Sequence, residues 1–295
     1  MSAADIRRRF GSFWTGEGSL ARFRLFEICF SIAFLVYMGR NLLAAGEWLT
    51  DSGFHLSAAA SRSGGTTPLP TLPDWAVPLF AMAILGSVGG VILAPRLRRV
   101  WFGLLAVLAW YAEGVDPASA FALNRIFVAG FFFIALSPGY DPASYRGSVA
   151  GLRAFQLFLV TLYLVTGLPK ALEGDWLVHT DVVWTHAQGH YRTPLAAWML
   201  RHLPLWGWAT IQYSVLIFEL GAPIWLTWRR TRPVAIVFGL SFHLGIALLM
   251  KAVWVFSLQM VAFYVLFLPD DWAREWIRRF RETRALWSMS RPTLT

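Results

Sequence analysis

Residues 75–94 read WAVPLFAMAILGSVGGVILA, and no charged side chain occurs between Asp74 and Arg96. A helix rises 1.5 Å per residue, so crossing roughly 30 Å of hydrocarbon takes about 20 mostly apolar residues. This stretch meets that length without a charge, which predicts a membrane-spanning helix and sets the solvent for the rest of the chain. The composition agrees. Charged residues make up 15% of the 295-residue chain and apolar ones 57%, against about 25% charged in a soluble domain. The 16 Trp and 23 Phe suit an outer layer of lipid, because tryptophan concentrates where headgroups meet hydrocarbon.

Working outward from residues 75–94, further apolar segments near 23–43, 100–112, 120–136, 152–172, 205–228, 233–250 and 252–268 predict an all-α, polytopic integral membrane bundle of about eight spans, a single domain over 1–295. The segment at 100–112 is short and must borrow flanking residues. The last two are separated by little more than Lys251 and predict a tight helical hairpin. After the N-terminal arginines Arg7, Arg8 and Arg9 no short apolar region with a small-residue cleavage site follows, so the first span is expected to remain as a signal anchor.

Charge placement sets the orientation. With the N-terminus cytoplasmic, one side collects Arg7–Arg9, Arg22, Arg24, Arg96, Arg98, Arg99, Arg146, Arg153, Arg229, Arg230, Arg232 and the arginines from Arg274 to Arg291. The other side has Arg40, Arg62, Lys170, Arg192, Arg201 and Lys251, together with most of the acidic loop residues. Such a bias places the basic side, and both termini, in the cytoplasm. Residues 271–287 form a basic amphipathic pattern, with Trp272, Trp276, Phe280 and Trp287 near one side. This predicts a helix lying on the inner leaflet, where each arginine near anionic lipid contributes ~1 kcal/mol. The expected location is the inner membrane of a bacterial cell. Lipids are the expected partners, and the net charge of +9 is not read as a nucleic-acid footprint.

Soluble nucleotide or hydrolase chemistry has no support: there is no Walker A loop, no GxSxG and no dinucleotide fingerprint on a strand. Cys29 is the sole cysteine, which excludes an intrachain disulfide. His186 and His190 stand four apart and would share a face if that stretch were helical, but no HExxH is present and no metal is expected. The long segments Ala44–Asp74 and Glu173–Pro204 fall on the outer side. The centre of the first, Ser61–Pro73, reads as a mobile loop; the second is dense in polar and aromatic residues, and its Pro194–Leu203 reads as a short amphipathic helix.

Charges inside hydrocarbon are costly and draw attention to themselves. Lys170 lies ~27 Å along the fifth span at 1.5 Å per residue, near the outer boundary. Pro169 before it removes a helix hydrogen bond to Val165, and Gly167 leaves room for close approach. The amine either snorkels to the headgroups or faces inward and transfers protons. Glu219, mid-way along the sixth span, is either protonated or paired, with Arg125 or His243 as candidate partners. Asn124, Arg125 and His243 read first as polar contacts between helices, and Arg24 and Glu27 as a local pair one turn apart.

Four stretches then resemble the vitamin K-dependent gamma-carboxylase-like, or horizontally transferred transmembrane (HTTM), domain family. They are Arg24-Leu-Phe-Glu27-Ile, Leu49-Thr-Asp51-Ser-Gly53, Tyr163-Leu-Val-Thr-Gly167-Leu-Pro-Lys170-Ala-Leu followed by Asp175-Trp176, and Phe242-His243-Leu-Gly-Ile followed by Phe256-Ser257. In that family a lysine at the position of Lys170 is the base that deprotonates a reduced vitamin K. The resemblance therefore implies Lys170 and His243 as catalytic, with Trp176, Glu219, Asn124 and Arg125 holding a reduced quinone of vitamin K or menaquinol type. The sequence departs from the pattern in three places. Glu27 stands where arginine is usual, Ala171 where leucine is usual, and Asn124-Arg125 where the carboxylases carry a histidine. The family's carboxylases also carry a large lumenal domain after the membrane part. Without one after Thr295, the expectation is quinol-dependent, epoxidase-like chemistry at the outer face, with carboxylation only if a soluble or membrane partner subunit supplies that domain. The alternative is a non-enzymatic accessory or maturation subunit of a membrane complex.

Overall fold

A computed structural model describes residues 5, 11–53, 55, 69–116 and 122–289. The arginines at 7–9, most of the Ser61–Pro73 loop and the start of the 120–136 segment lie outside the described residues. In chain order the helices are α1 (Ala21–Leu42), α2 (Ala45–Trp48), α3 (Val77–Leu93), α4 (Arg98–Val115), α5 (Ala122–Leu136), α6 (Ala150–Leu172), α7 (Asp175–Val178), α8 (Val182–Ala187), α9 (Pro194–His202), α10 (Leu205–Trp225), α11 (Arg232–Leu249), α12 (Trp254–Tyr264) and α13 (Asp270–Met289). Three helical stretches, Asp74–Leu93, Ala150–Leu172 and Arg232–Leu249, are long and apolar enough to cross a membrane, and Leu123–Leu136 and Trp254–Phe267 are shorter apolar helices. Each of the expected apolar segments is helical over most of its length. The all-α expectation needs one amendment: β1 (Glu17–Ser19) and β2 (Arg146–Ser148) pair antiparallel, with Gly18 opposite Gly147.

The chain divides into two compact units, residues 1–20 with 24–151 and residues 21–23 with 152–295. In the first, the aromatic side chains of α1 recur at Phe26, Phe30, Phe34 and Tyr37, one face of a 3.6-residue helix. They meet Phe127 and Phe131, one turn apart on α5. Phe30 lies 4.9 Å from Phe127 and 5.2 Å from Phe131, and Phe34 is 5.1 Å from each, ring centre to ring centre. Their buried area and tilted or edge-on contacts hold the two helices together.

Beside this apolar seam sits a fully buried carboxylate. Glu27 is 0% exposed, and a charge so placed is tolerable only when paired and hydrogen-bonded. It accepts from Arg24 at 3.4 Å, from Arg98 Nε at 2.5 Å and from the Tyr140 hydroxyl at 2.6 Å. Arg24 also donates to the carbonyls of Val91 at 2.6 Å and Ile92 at 3.3 Å, satisfying the end of α3, where helix carbonyls lack partners. Arg98 reaches Ser137 Oγ at 2.6 Å. The local Arg24–Glu27 pair is thus present, while Arg98, expected among loop arginines, is buried inside α4. Its charge is compensated by Glu27, and the helix over the 100–112 segment runs from Arg98 to Val115.

The second unit packs α6, α10, α11 and α12. Phe263 contacts Phe155 at 6.3 Å and Phe158 at 5.7 Å, and Gln156 Nε2 donates to the Leu266 carbonyl at 2.8 Å. The α11–α12 hairpin turns at Ala252, whose φ of 65° is left-handed. The amphipathic C-terminal helix is present as α13. Ala273 and Ile277 are buried, while Trp272, Trp276 and Phe280 form an exposed stripe four residues apart; the side chain of Trp287 lies outside the described residues.

Candidate functional site

Lys170 is in the last turn of α6. Its Nζ donates to both oxygens of Glu219 on α10, at 2.7 and 2.6 Å. The lysine side chain is 26% exposed and the glutamate 5%, so the carboxylate is sealed and the amine is the half open to the outside. Trp176 of α7 covers it, with Nζ 4.6 Å from the ring centre, within the range of an attractive cation–π contact. Gly167 makes the pairing possible. A Cβ there would stand 2.9 Å from Glu219 Cβ and 3.2 Å from the Leu220 nitrogen, so only glycine lets α6 and α10 approach this closely. Pro169 sits within α6 without ending it, since the helix runs on to Leu172.

Of the residues expected at the site, the structure brings together Lys170, Glu219 and Trp176. The partners suggested for Glu219 are corrected. Arg125 is 77% exposed and bonds Glu113 at 3.3 Å, because its long side chain reaches outward from α5. His243 bonds elsewhere. Asn124 accepts from the Tyr37 hydroxyl at 2.5 Å. Asn124 and Arg125 thus have their partners within the first unit, and Lys170, Glu219 and Trp176 belong to the second. Lys170 itself neither snorkels freely nor stands as a bare amine, since Glu219 holds it.

His243 forms a second cluster within the same unit. Its Nε2 lies 2.7 Å from the Tyr163 hydroxyl, which lies 2.5 Å from the Tyr264 hydroxyl. Phe218 meets the Tyr163 ring edge to face at 5.2 Å. His243 is 1% exposed, and its Nδ1 has no hydrogen-bond partner among the described residues. Tyr264 fits because Gly239 offers no side chain; a Cβ there would collide with the tyrosine hydroxyl. Tyr163 and Lys170 are seven residues apart on α6, hence on one face and ~10 Å apart along the axis.

A third residue, Gln212, was not singled out by the sequence. Two turns before Glu219 on α10 and fully buried, it accepts from Val183 N at 3.3 Å and donates to the carbonyls of Trp176 at 2.8 Å and His179 at 2.6 Å. One amide thereby fixes the loop that carries Trp176 over Lys170. The far end of that loop is tied to the α11–α12 connection: Arg192 bridges Met250, and Lys251 N donates to Tyr191 O at 2.6 Å. Between them α9 begins as expected, with Thr193 Oγ1 capping Ala196 N at 3.1 Å. His186 and His190 do not share a helix, because α8 ends at Ala187.

Apolar helices of membrane-crossing length, together with a buried ion pair whose cation lies under an indole, define a helical membrane protein. Residues 148–272 match the model of the HTTM domain. The matched residues include Tyr163, Lys170, Trp176, Gln212, Glu219, His243 and Tyr264. The Arg24–Glu27 and Leu49–Gly53 stretches lie outside the match. No curated protein matches the chain, and no solved structure does.

Proposed function

We propose that this is a multi-pass protein of the bacterial inner membrane, crossing it eight times with both ends cytoplasmic, and that Lys170 and Glu219 bind a quinol and take up its phenolic proton. The topology is supported by the arginine distribution, which follows the positive-inside rule at every connection. The quinol reading rests on one observation: the Lys170 amine, held by both oxygens of buried Glu219 and covered by Trp176, is the partly open end of a charged pair at the end of an apolar helix.

That donor set suits a hydroquinone. An indole face offers a flat apolar surface to an aromatic ring, and the ammonium–carboxylate pair can accept and return a proton as one coupled unit. When bound, the quinol supplies the reducing equivalents: with dioxygen, one oxygen atom ends as an epoxide and the other leaves as water with the quinol's two hydrogens. Lys170 turns its third N–H to the phenolic oxygen while its other two stay on Glu219. Glu219 keeps the amine in place, and Trp176, fixed through Gln212, covers the site against water. Tyr163, His243 and Tyr264 form a hydrogen-bonded chain on the same helix face that positions α6 against α11 and α12.

The test is oxygen uptake and epoxide formation by purified protein given a reduced naphthoquinone, with Lys170→Ala and Glu219→Gln alongside. Wild type should turn over and Lys170→Ala should fall at least 100-fold. Equal, background rates in wild type and variant refute the reading. A second reading, an accessory or maturation subunit, is favoured by the saturation of both Glu219 oxygens by one amine and by the tight Gly167 contact, features of a helix clamp. It predicts co-purification of a stoichiometric partner and no quinol-dependent oxygen uptake.

A further inference from the structure

Away from Lys170, the second unit carries a groove of about 440 Å³ between α10 and α11, within the roughly 300–1,000 Å³ of small-molecule sites. Ile217, Phe218, Trp225, Val234 and Phe238 give it an apolar lining, and Arg230 is the one charged residue that lines it. Ile217 and Val234 are largely exposed, so the groove opens sideways, towards the surface that apolar helices present to lipid. The Trp225 indole folds back over Gly221 and donates from Nε1 to Ile217 O at 3.4 Å, so a flat ring forms part of the groove's apolar lining.

Around Arg230 the chemistry is different. Arg229 and Arg230 lie on the α10–α11 connection and Arg232 opens α11, and no acidic residue occurs between Glu219 and Asp270. Arg232 is engaged, donating from Nε to Leu226 O and from NH2 to Thr227 O, each at 3.0 Å, where it satisfies carbonyls just past the end of α10. Arg230 lines the groove and has no hydrogen-bond or ion-pair partner among the described residues. An apolar trough lined by an unneutralised guanidinium asks for one molecule with both properties.

We propose that this groove binds an anionic phospholipid, with an acyl chain along Ile217, Phe218, Val234 and Phe238 and the headgroup phosphate on Arg230. Charge complementarity selects this occupant. A zwitterionic lipid would bring its ammonium among Arg229 and Arg230, and a free anion would leave the apolar walls unfilled. Guanidinium pairs phosphate through two parallel hydrogen bonds, and each buried methylene adds to the hold. The site is separate from the quinol reading and stands or falls without it.

The test is native mass spectrometry of the full-length protein in detergent, with dioleoylphosphatidylglycerol and dioleoylphosphatidylcholine titrated in competition. The wild type should retain the anionic lipid at least fivefold better. Arg230→Gln should bring the two lipids within twofold of each other, and Val234→Trp, which fills the trough, should remove lipid of both kinds from this site. Arg278→Gln/Arg279→Gln, on the basic helix α13, should leave the preference unchanged, and water-soluble glycerol phosphate should not compete. Circular dichroism of each variant should match wild type, since Arg230 and Val234 are exposed. The proposal is overturned if the preference survives Arg230→Gln, if it is lost only with the α13 variant, if Val234→Trp still holds the lipid, or if glycerol phosphate displaces it.

Discussion

Removing one partner of the Lys170–Glu219 pair should cost more from one side than from the other, and the structure says which. Lys170→Met leaves the Glu219 carboxylate, 5% exposed, without the amine that bonds both its oxygens. An uncompensated buried charge costs about 3–5 kcal/mol, and the cation–π contact with Trp176 adds about 0.5–2 kcal/mol to the loss. Interhelical polar contacts in membranes measure lower, about 0.6–1.7 kcal/mol, because the unfolded helices still find partners in the bilayer. A loss of about 3 kcal/mol is therefore expected. Glu219→Gln leaves Lys170 with a neutral acceptor, a quarter of its surface open and the indole still above it, so about 1 kcal/mol is expected. The double variant Lys170→Met/Glu219→Leu removes both charges and should recover to within about 1 kcal/mol of wild type, as exchanging a whole buried pair for apolar residues is often neutral. Unfolding of purified protein in mixed detergent, monitored by circular dichroism, gives all three values, and Glu219→Leu alone, measured beside them, closes the double-mutant cycle. The reasoning is refuted if Glu219→Gln costs as much as Lys170→Met, or if the double variant is no more stable than Lys170→Met alone.

Other expectations follow from single contacts. Gly239→Ala places a methyl where the Tyr264 hydroxyl stands and should destabilise by about 1–3 kcal/mol through overpacking, read in the same unfolding assay. Gln212→Leu removes every hydrogen bond that this amide makes to residues 176–183; amide exchange at Val183 should quicken at least tenfold by mass spectrometry while α10 keeps its protection. On α13, hydrogen bonds from Arg278 and Arg279 hold the Glu275 carboxyl down at about 2, from 4.5. The folded value is depressed, so the ion pairs are at full strength above about 4.5 and are lost as pH falls through about 2. A carbon-13 titration of Glu275 should show that midpoint, and Arg279→Gln should move it upward.

Much of the frame was legible because it depends on length and period. Residues 75–94 announce a helix by length and by the absence of charge. Lys170, Glu219 and Trp176 were each flagged, and the structure joins them. Their pairing was not legible, since it is set by which face of α10 meets α6, a matter of packing. Arg125 looked like a partner for Glu219 by hydropathy alone. The helix instead directs it outward to Glu113, and nothing in one-dimensional spacing distinguishes the two faces of a short apolar helix. The buried state of Arg98 was hidden for the converse reason: among Arg96 and Arg99 it reads as loop, and only the distant Glu27 makes its burial tolerable.

Gln212 and Tyr264 went unnoticed, and Tyr163 entered only as part of a resemblance, for a reason that bears on how such sites are found. None is charged, so none raises the cost that draws attention to Lys170. Yet Gln212 is seven residues from Glu219 and Tyr163 seven from Lys170, two turns along the same faces, while Gly239 and His243 are one turn apart on α11. A charged residue in an apolar helix thus points along its own face, at intervals of three, four and seven, to the polar and glycine positions packed with it. Applied to α6, that rule returns Gly167 and Tyr163; applied to α10, it returns Gln212. In hydrocarbon every polar side chain needs a partner, and helix geometry confines the search for it to one stripe.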